Sequence, residues 1–189
     1  MRTPLAVAMV VVLAGASACA RTEPAPAPPP PAPPASTTIA KAMQSSWETA
    51  RNNFVQSAEV MPEKQYGFKP ADSVRTYGQI LTHVAGANYV FCAAAKGTKS
   101  PAAEDQFEKT VTTRAQIVKT LAESVSYCDS VFAGLTDAQL GEAIDLPFDQ
   151  GKGPRSAAIL GNIGHVNEHY GNLVTYMRIK GIVPPSSRR

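Results

Sequence analysis

Apolar residues recur at steps of three and four positions along four segments of this chain, with polar residues between them. This period is typical of amphipathic α-helices, whose apolar stripes face a shared core. The pattern predicts four helices, over residues 38–60, 72–96, 112–133 and 155–180. Pro62, Gly97 and Gly181 follow three of these segments as helix stops. No segment shows the alternation of a strand, so the predicted fold class is all-α, a four-helix bundle.

The connections between the helices carry local signals of their own. Asp72 or Ser73 is expected to cap the second helix, because both side chains accept hydrogen bonds from free backbone N–H groups. Three shorter features are predicted: a helical turn near 105–109, a capped turn over 135–140, and an irregular segment or small hairpin over 146–154.

The first 36 residues do not belong to the predicted bundle. A basic start at Arg2 precedes an apolar run over residues 5–15, which is too short to span a bilayer as a helix. Small residues follow this run, so residues 1–18 are predicted to be a secretory signal peptide. We therefore expect an exported protein of the periplasm or cell envelope.

Cys19 admits two processing routes. The preceding residues 16–18, Ala-Ser-Ala, form an acceptable cleavage site for an unmodified protein, and in this alternative Cys19 is only part of the discarded leader. The same residues resemble a bacterial lipobox, in which Cys19 becomes the lipid-modified N-terminus. We favour lipidation of Cys19 and a membrane anchor, because residues 19–36 continue as a proline-rich tether that cannot pack a core.

The folded domain is expected over residues 37–185, about 150 residues, which suits one hydrophobic core. Residues 186–189 form a short tail. The net charge of +3 is small, and no basic stripe with interleaved aromatic residues occurs. We therefore expect no nucleic-acid partner.

The chain has three histidines, and all of them fall in predicted helices. His165 and His169 are four positions apart, so they lie one above the other on the last helix. With His83 of the second helix they can bind one divalent transition metal, zinc or nickel first, and leave a position open for water or substrate. Asn162 and Tyr66 are candidate outer partners of the rings. The plainer alternative is three ordinary hydrogen-bonded or solvent-facing histidines.

These features resemble the DinB/YfiT-like superfamily of metal-dependent four-helix-bundle enzymes, in an exported member. The matching residues are Met-Pro-Glu at 61–63, Tyr-Gly-Phe-Lys-Pro at 66–70, His83, the pair His165 and His169, and Gly-Ile-Val-Pro-Pro at 181–185. The resemblance covers essentially the whole domain and implies that the three histidines bind a divalent metal. It also implies up-down-down-up connectivity, with a long crossover between parallel second and third helices.

The resemblance also bears on the cysteines. If Cys19 is lipidated, Cys92 and Cys128 remain, which is an even number in an oxidising compartment. Each lies near the C-terminal end of its helix, and the parallel helices of the family place the two at one level. A Cys92–Cys128 disulfide is therefore expected, with two buried free thiols as the alternative.

The resemblance implies a metal-dependent hydrolase or group (thiol) transferase that acts on an unknown small molecule. Two other interpretations stay open. One is a non-catalytic envelope module that binds a metal or another ligand, and the other is a purely structural bundle without a metal. A homodimer is one assembly that the chain allows.

Overall fold

Four long helices form the body of the domain in the computed structural model, which describes residues 38–188. In chain order the helices are α1 (Ile39–Val60), α2 (Tyr77–Lys96), the short α3 (Gln106–Thr110), α4 (Arg114–Ala133), the short α5 (Asp137–Leu140) and α6 (Arg155–Ile179). Single 3-10 turns lie at Glu63–Gln65 and Pro185–Ser187. The predicted all-α four-helix bundle is confirmed.

The predicted signal peptide (1–18), Cys19 and the proline-rich tether (19–36) lie outside the described residues. Within residues 38–188, no helix is both long enough and apolar enough to cross a membrane. Export and attachment to a membrane through Cys19 therefore stay predictions.

Reciprocal side-chain caps determine where several helices begin. The Gln79 backbone N–H donates to Thr76 Oγ1 at 3.2 Å, and the Thr76 N–H donates to Gln79 Oε1 at 2.9 Å. This capping box starts α2 at Tyr77, so the prediction that Asp72 or Ser73 caps the helix is wrong. Neither of those residues has a Glu or Gln three positions later to complete such a box.

Helices α2 and α4 run in the same direction. The Asn88 side chain donates to Ser124 Oγ at 3.2 Å, and one turn further along both helices Cys92 is disulfide-bonded to Cys128. The Cα atoms of the two cysteines lie 5.4 Å apart. The connection over residues 97–113 therefore returns along the bundle before α4 begins, and it carries α3 on the way.

Helices α2 and α6 run in opposite directions and share a long interface. Near the start of α2, the Arg75 carbonyl accepts a hydrogen bond of 2.9 Å from the Tyr176 hydroxyl, which lies near the end of α6. At the other end of α2, the Ala95 carbonyl accepts from the Arg155 guanidinium at the start of α6. This pairing places the middle of α2 against the middle of α6.

The apolar stripes of the long helices form one core, to which α1 contributes the only tryptophan. Trp47 is 1% exposed and stacks on Phe132 of α4, with ring centroids 4.7 Å apart. Its indole N–H donates to Asp129 at 2.7 Å. Since this satisfies the polar atom of a buried aromatic, Trp47 serves as a core anchor.

A small hairpin precedes α6, and no strand was predicted there from alternation. Its strands β1 (Ala143–Asp145) and β2 (Lys152–Pro154) pair antiparallel. The hairpin alternative for residues 146–154 anticipated this only in part, because β1 lies before residue 146. Three residues a strand are too few for an alternating pattern to stand out. In the connecting loop Phe148 adopts a positive φ of 58°, and its ring packs edge-on against Phe91 of α2 at 5.1 Å.

Candidate metal centre

Three imidazole rings meet where α2 crosses α6. The Nε2 atoms of His83 and His165 lie 3.2 Å apart, and the His169 ring is centred 4.8 Å from the His83 ring and 4.5 Å from the His165 ring. One nitrogen of each ring lies within 4.8 Å of the others. A single ion with bonds of about 2.1 Å can bridge such a set. The structure thus brings together the three residues that the sequence singled out.

The helices explain why the rings converge. His165 and His169 are one turn apart on α6, so both side chains point to the same neighbour. That neighbour is the central part of α2, which is buried over most of its length and presents His83 at 6% exposure. His169 is 8% exposed, and the His165 side chain is 15% exposed. The cluster therefore lies inside the bundle and close to its surface.

Burial makes the charged form of these rings unfavourable. It lowers the pKa of His165 to about 3, and the nearby His169 and His83 act in the same direction. Burial likewise lowers the pKa of His169 to about 4, with His83 as the next cause. Both rings are therefore neutral at pH 7, and each offers one nitrogen lone pair, which is the form that binds a metal.

The nitrogens of the cluster do not form a complete set of hydrogen bonds with one another or with the surrounding residues that the structure describes. Among residues 38–188, His165 Nδ1 is buried and has no hydrogen-bond partner. Its Nε2 faces His83 Nε2, and one hydrogen at most can lie between two such nitrogens. A divalent ion would accept lone pairs from all three rings, and three neutral imidazoles suit zinc or nickel. The residues present therefore fit the predicted metal.

A carboxylate from the crossover connection orients His83. Glu108 of α3 places Oε1 3.0 Å from His83 Nδ1, and its Oε2 accepts from Arg75 Nε at 2.9 Å. A ring that donates its Nδ1–H to this carboxylate keeps the Nε2 lone pair toward the other histidines. On α6, the Asn172 amide lies 3.3 Å from His169 Nδ1. Neither Glu108 nor Asn172 was predicted from the sequence.

A second carboxylate lies on the side of the cluster where the Nε2 atoms meet. Glu104 Oε1 lies 3.7 Å from His83 Nε2 and 3.9 Å from His165 Nε2. Glu104 is in the same connection as Glu108, just before α3. The connection thus supplies one acidic group to each nitrogen of His83.

The two outer partners proposed from the sequence lie elsewhere. The Asn162 amide points to the disulfide, with its nitrogen 3.5 Å from Cys92 Sγ and 3.6 Å from Cys128 Sγ. The Tyr66 hydroxyl donates to the Ala58 carbonyl at 2.5 Å. Asn162 precedes His165 by almost one turn of α6, which moves it to the next level of the bundle. Tyr66 is held by α1, away from the rings.

A groove of about 690 Å³ opens beside His169. Its wall combines the segment before α2, the first turn of α2 and the C-terminal half of α6, with Ser73, Arg75, Gln79, His169, Asn172 and Tyr176 among the lining residues. The late start of α2 leaves Ser73 and Arg75 in irregular structure, where they can line this wall. The groove gives a small molecule access to one ring of the cluster.

The fold is a four-helix bundle, and a buried cluster of three histidines lies between its second and last long helices. These two features together define a class of helical bundles that can bind a metal ion. This chain belongs to the DinB superfamily, whose family model matches residues 46–173. The matched region includes all three histidines. The membership confirms the resemblance to this superfamily, while export stays a prediction.

Similar proteins share the fold at low sequence identity. YjoA of Bacillus subtilis (strain 168), described as uncharacterized, is 26% identical over 132 residues, which cover 69% of this chain and 84% of YjoA. The structure of a DinB-like protein from Bacillus cereus ATCC 10987 superposes with a TM-score of 0.66 at 20% identity, covering 79% of this chain and 97% of that one. YfiT of Bacillus subtilis gives a TM-score of 0.58 at 18% identity, with coverages of 79% and 93%. YfiT is described as a probable metal-dependent hydrolase with an unusual four-helix bundle topology.

Proposed function

We propose that this protein is an exported metal-dependent enzyme that hydrolyses a small molecule or transfers a group to it. The observation that carries the proposal is the convergence of His83, His165 and His169 beside an open groove. In this proposal the three rings hold one zinc or nickel ion. The description of YfiT as a probable metal-dependent hydrolase supports the class of reaction.

Each part of the site has a separate task in this proposal. A bound divalent ion supplies Lewis-acid polarisation of a reacting oxygen or carbonyl group. Glu108 keeps the His83 proton on Nδ1, so that the Nε2 lone pair stays available. Arg75 fixes Glu108 through an ion pair of 2.9 Å and also lines the groove. The polar groove wall, including Gln79 and Asn172, would orient the substrate through hydrogen bonds.

Metal content tests the binding step. The mature chain is purified from its host without a polyhistidine tag and analysed for metals, and we expect about one equivalent of zinc or nickel per chain. His165→Ala and His169→Ala are expected to lose this metal and keep a helical spectrum, because the apolar core does not involve the ion. Asn167→Ala, on an exposed part of α6, is the matched control and keeps the metal. A wild-type protein without a stoichiometric metal would remove the proposal.

Catalysis needs its own test, because a metal-binding module without activity has the same metal content. The metal-loaded wild type and His169→Ala are assayed against panels of esters, amides and thiol acceptors. Turnover that requires the metal supports the enzyme. A loaded protein that turns over none of these classes would favour the non-catalytic envelope module instead.

Export is part of the same proposal and rests on the N-terminal sequence pattern. The Cys92–Cys128 disulfide supports it, because such bonds persist in oxidising compartments. The intact mass of the mature protein from a bacterial envelope is expected to correspond to a chain that begins at a lipid-modified Cys19. An unmodified chain that begins near Cys19 would exclude the anchor and keep export. A full-length chain with Met1 would exclude both.

A further inference from the structure

The backbone of the crossover connection packs against a glycine of α2. If Gly86 carried a Cβ, that atom would overlap the carbonyl of Glu104 and lie 3.0 Å from the carbonyl oxygen of Ala103. The backbone of the connection therefore lies directly on the helix, at a place where any larger residue would force it away. Gly86 comes almost one turn after His83, so this contact holds Glu104 over the histidine cluster.

The Glu104 carboxylate reaches the side of the cluster where an ion would lie. Its Oε1 is 3.7 Å from His83 Nε2 and 3.9 Å from His165 Nε2. Two ligands with bonds of about 2.1 Å to one ion are separated by about 3.0–3.6 Å when the angle at the ion is about 90–120°. The observed distances exceed this by a few tenths of an ångström, which a side-chain adjustment can close.

The two carboxylates of the connection are not equivalent. Glu108 contacts His83 at Nδ1, on the far side of the ring, and its other oxygen is held by Arg75. Glu104 lies by the Nε2 atoms of two rings, and among the described residues its carboxylate is paired only with these histidines. Its side chain is 36% exposed, so it can adjust when an ion binds.

We propose that Glu104 is a fourth protein ligand of the metal, which makes the site a three-histidine, one-carboxylate set. This inference rests on the proposed metal binding and adds an oxygen donor to it. Three neutral rings do not compensate the positive charge of a divalent ion. A carboxylate ligand adds one negative charge to the site. For an ion that accepts five or six ligands, the set still leaves a position for substrate on the groove side.

The test compares metal affinity and ligand environment in the full mature chain. Wild type, Glu104→Gln and Asp105→Asn are titrated with Zn²⁺ against a chelating indicator and with Co²⁺ by visible absorption, whose bands respond to directly bound atoms. Asp105 is the matched control, because it is the next acidic residue and its carboxylate pairs with Lys109 at 3.0 Å. Glu104→Gln is expected to weaken Zn²⁺ binding by about 100-fold or more, beyond the 10–100-fold typical of outer partners, and to change the Co²⁺ spectrum. Asp105→Asn should match wild type.

Gly86→Ala provides an independent variant. Alanine is favoured over glycine in a helix, so α2 should stay intact while the connection is displaced. Circular dichroism verifies the fold, and the Co²⁺ spectrum is expected to change as in Glu104→Gln. The inference is overturned if Glu104→Gln binds like wild type, or if its affinity falls while the Co²⁺ spectrum stays the same, because the carboxylate then acts only through its charge. A wild type that binds no metal would instead remove the proposed function.

Discussion

The interface of α2 with its neighbours contains two buried polar regions that differ in what their side chains can bind. At one level Cys92 is bonded to Cys128, and the Asn162 amide nitrogen lies against both sulfurs. At the level of His83, three bases converge, two carboxylates approach, and a groove opens beside His169. The disulfide region holds α2 and α4 together, while the histidine region directs nitrogen lone pairs toward one common point.

An unpaired buried atom does not by itself distinguish the two regions. His165 Nδ1 lacks a partner among residues 38–188, and so do the side-chain oxygens of Asn88 and Asn162 beside the disulfide. The difference is that the histidine nitrogens converge within 4.8 Å and are reached from a groove. Convergence and access together therefore identify the candidate site, and the disulfide region has a structural role.

Removal of the disulfide should have the largest effect on stability. The bond closes a loop with a sequence separation of 36, for which chain entropy predicts a loss of about 3–4 kcal/mol in unfolding free energy when it is removed. Urea unfolding of Cys92→Ala/Cys128→Ala measures this loss, and thiol titration of the unreduced wild type verifies the bond. Metal affinity should change by only a few-fold. A large loss of affinity would mean that the two regions are not separate.

Acid should destabilise the metal-free protein through the histidine region. In the native state the pKa values of His165 and His169 are lowered to about 3 and about 4, while an unfolded histidine titrates near 6.5. Between these values the unfolded state binds more protons, so stability falls as the pH falls. We expect a loss of roughly 3–4 kcal/mol between pH 7 and pH 5 for the two groups together.

Chemical unfolding at several pH values, in the presence of a chelator, measures this dependence. The double variant His165→Gln/His169→Gln should lose most of the slope, because glutamine does not titrate. The disulfide variant should keep the wild-type slope. Equal stability of the metal-free wild type at pH 7 and pH 5 would show that the two rings are not held neutral by burial.

Glu108→Gln should have a smaller effect, which is limited to the affinity for the metal. It removes the charge that holds the proton on His83 Nδ1, and loss of such a partner typically weakens metal binding by about 10–100-fold. Isothermal titration with Zn²⁺ measures the change, and Glu123→Gln, an exposed acid on α4 paired with Lys119, is the matched control. Unchanged affinity in Glu108→Gln would exclude its role in orienting His83.

The sequence predicted the features that depend on helical period. The spacing of His165 and His169 on one face, and the long apolar segments, follow from 3.6 residues per turn. His83 was proposed as the third member because it is the only other histidine and lies in a predicted helix. The family resemblance implied the same set, and the structure brings all three together. These residues could be located because each lies in a long, regular helix.

The sequence could not locate the residues that depend on the path of a connection. Glu104 and Glu108 lie in or next to a five-residue helix, which is too short to show a period. Their position over α2 depends on the close contact at Gly86, which resembles any other helical glycine in the sequence. The start of α2 was misplaced because several residues before Tyr77 can cap a helix, and only Thr76 has Gln79 to complete the box.

X-ray absorption at the metal edge of the loaded wild-type protein tests the central claim most directly, because it reports the atoms bound to the ion. We expect a first shell of nitrogen and oxygen atoms at about 2.0–2.2 Å, with the outer scattering of three imidazole rings. His169→Ala should lose this signal. A shell of sulfur at about 2.3 Å, or a shell without imidazole scattering, would contradict a metal centre built from His83, His165 and His169.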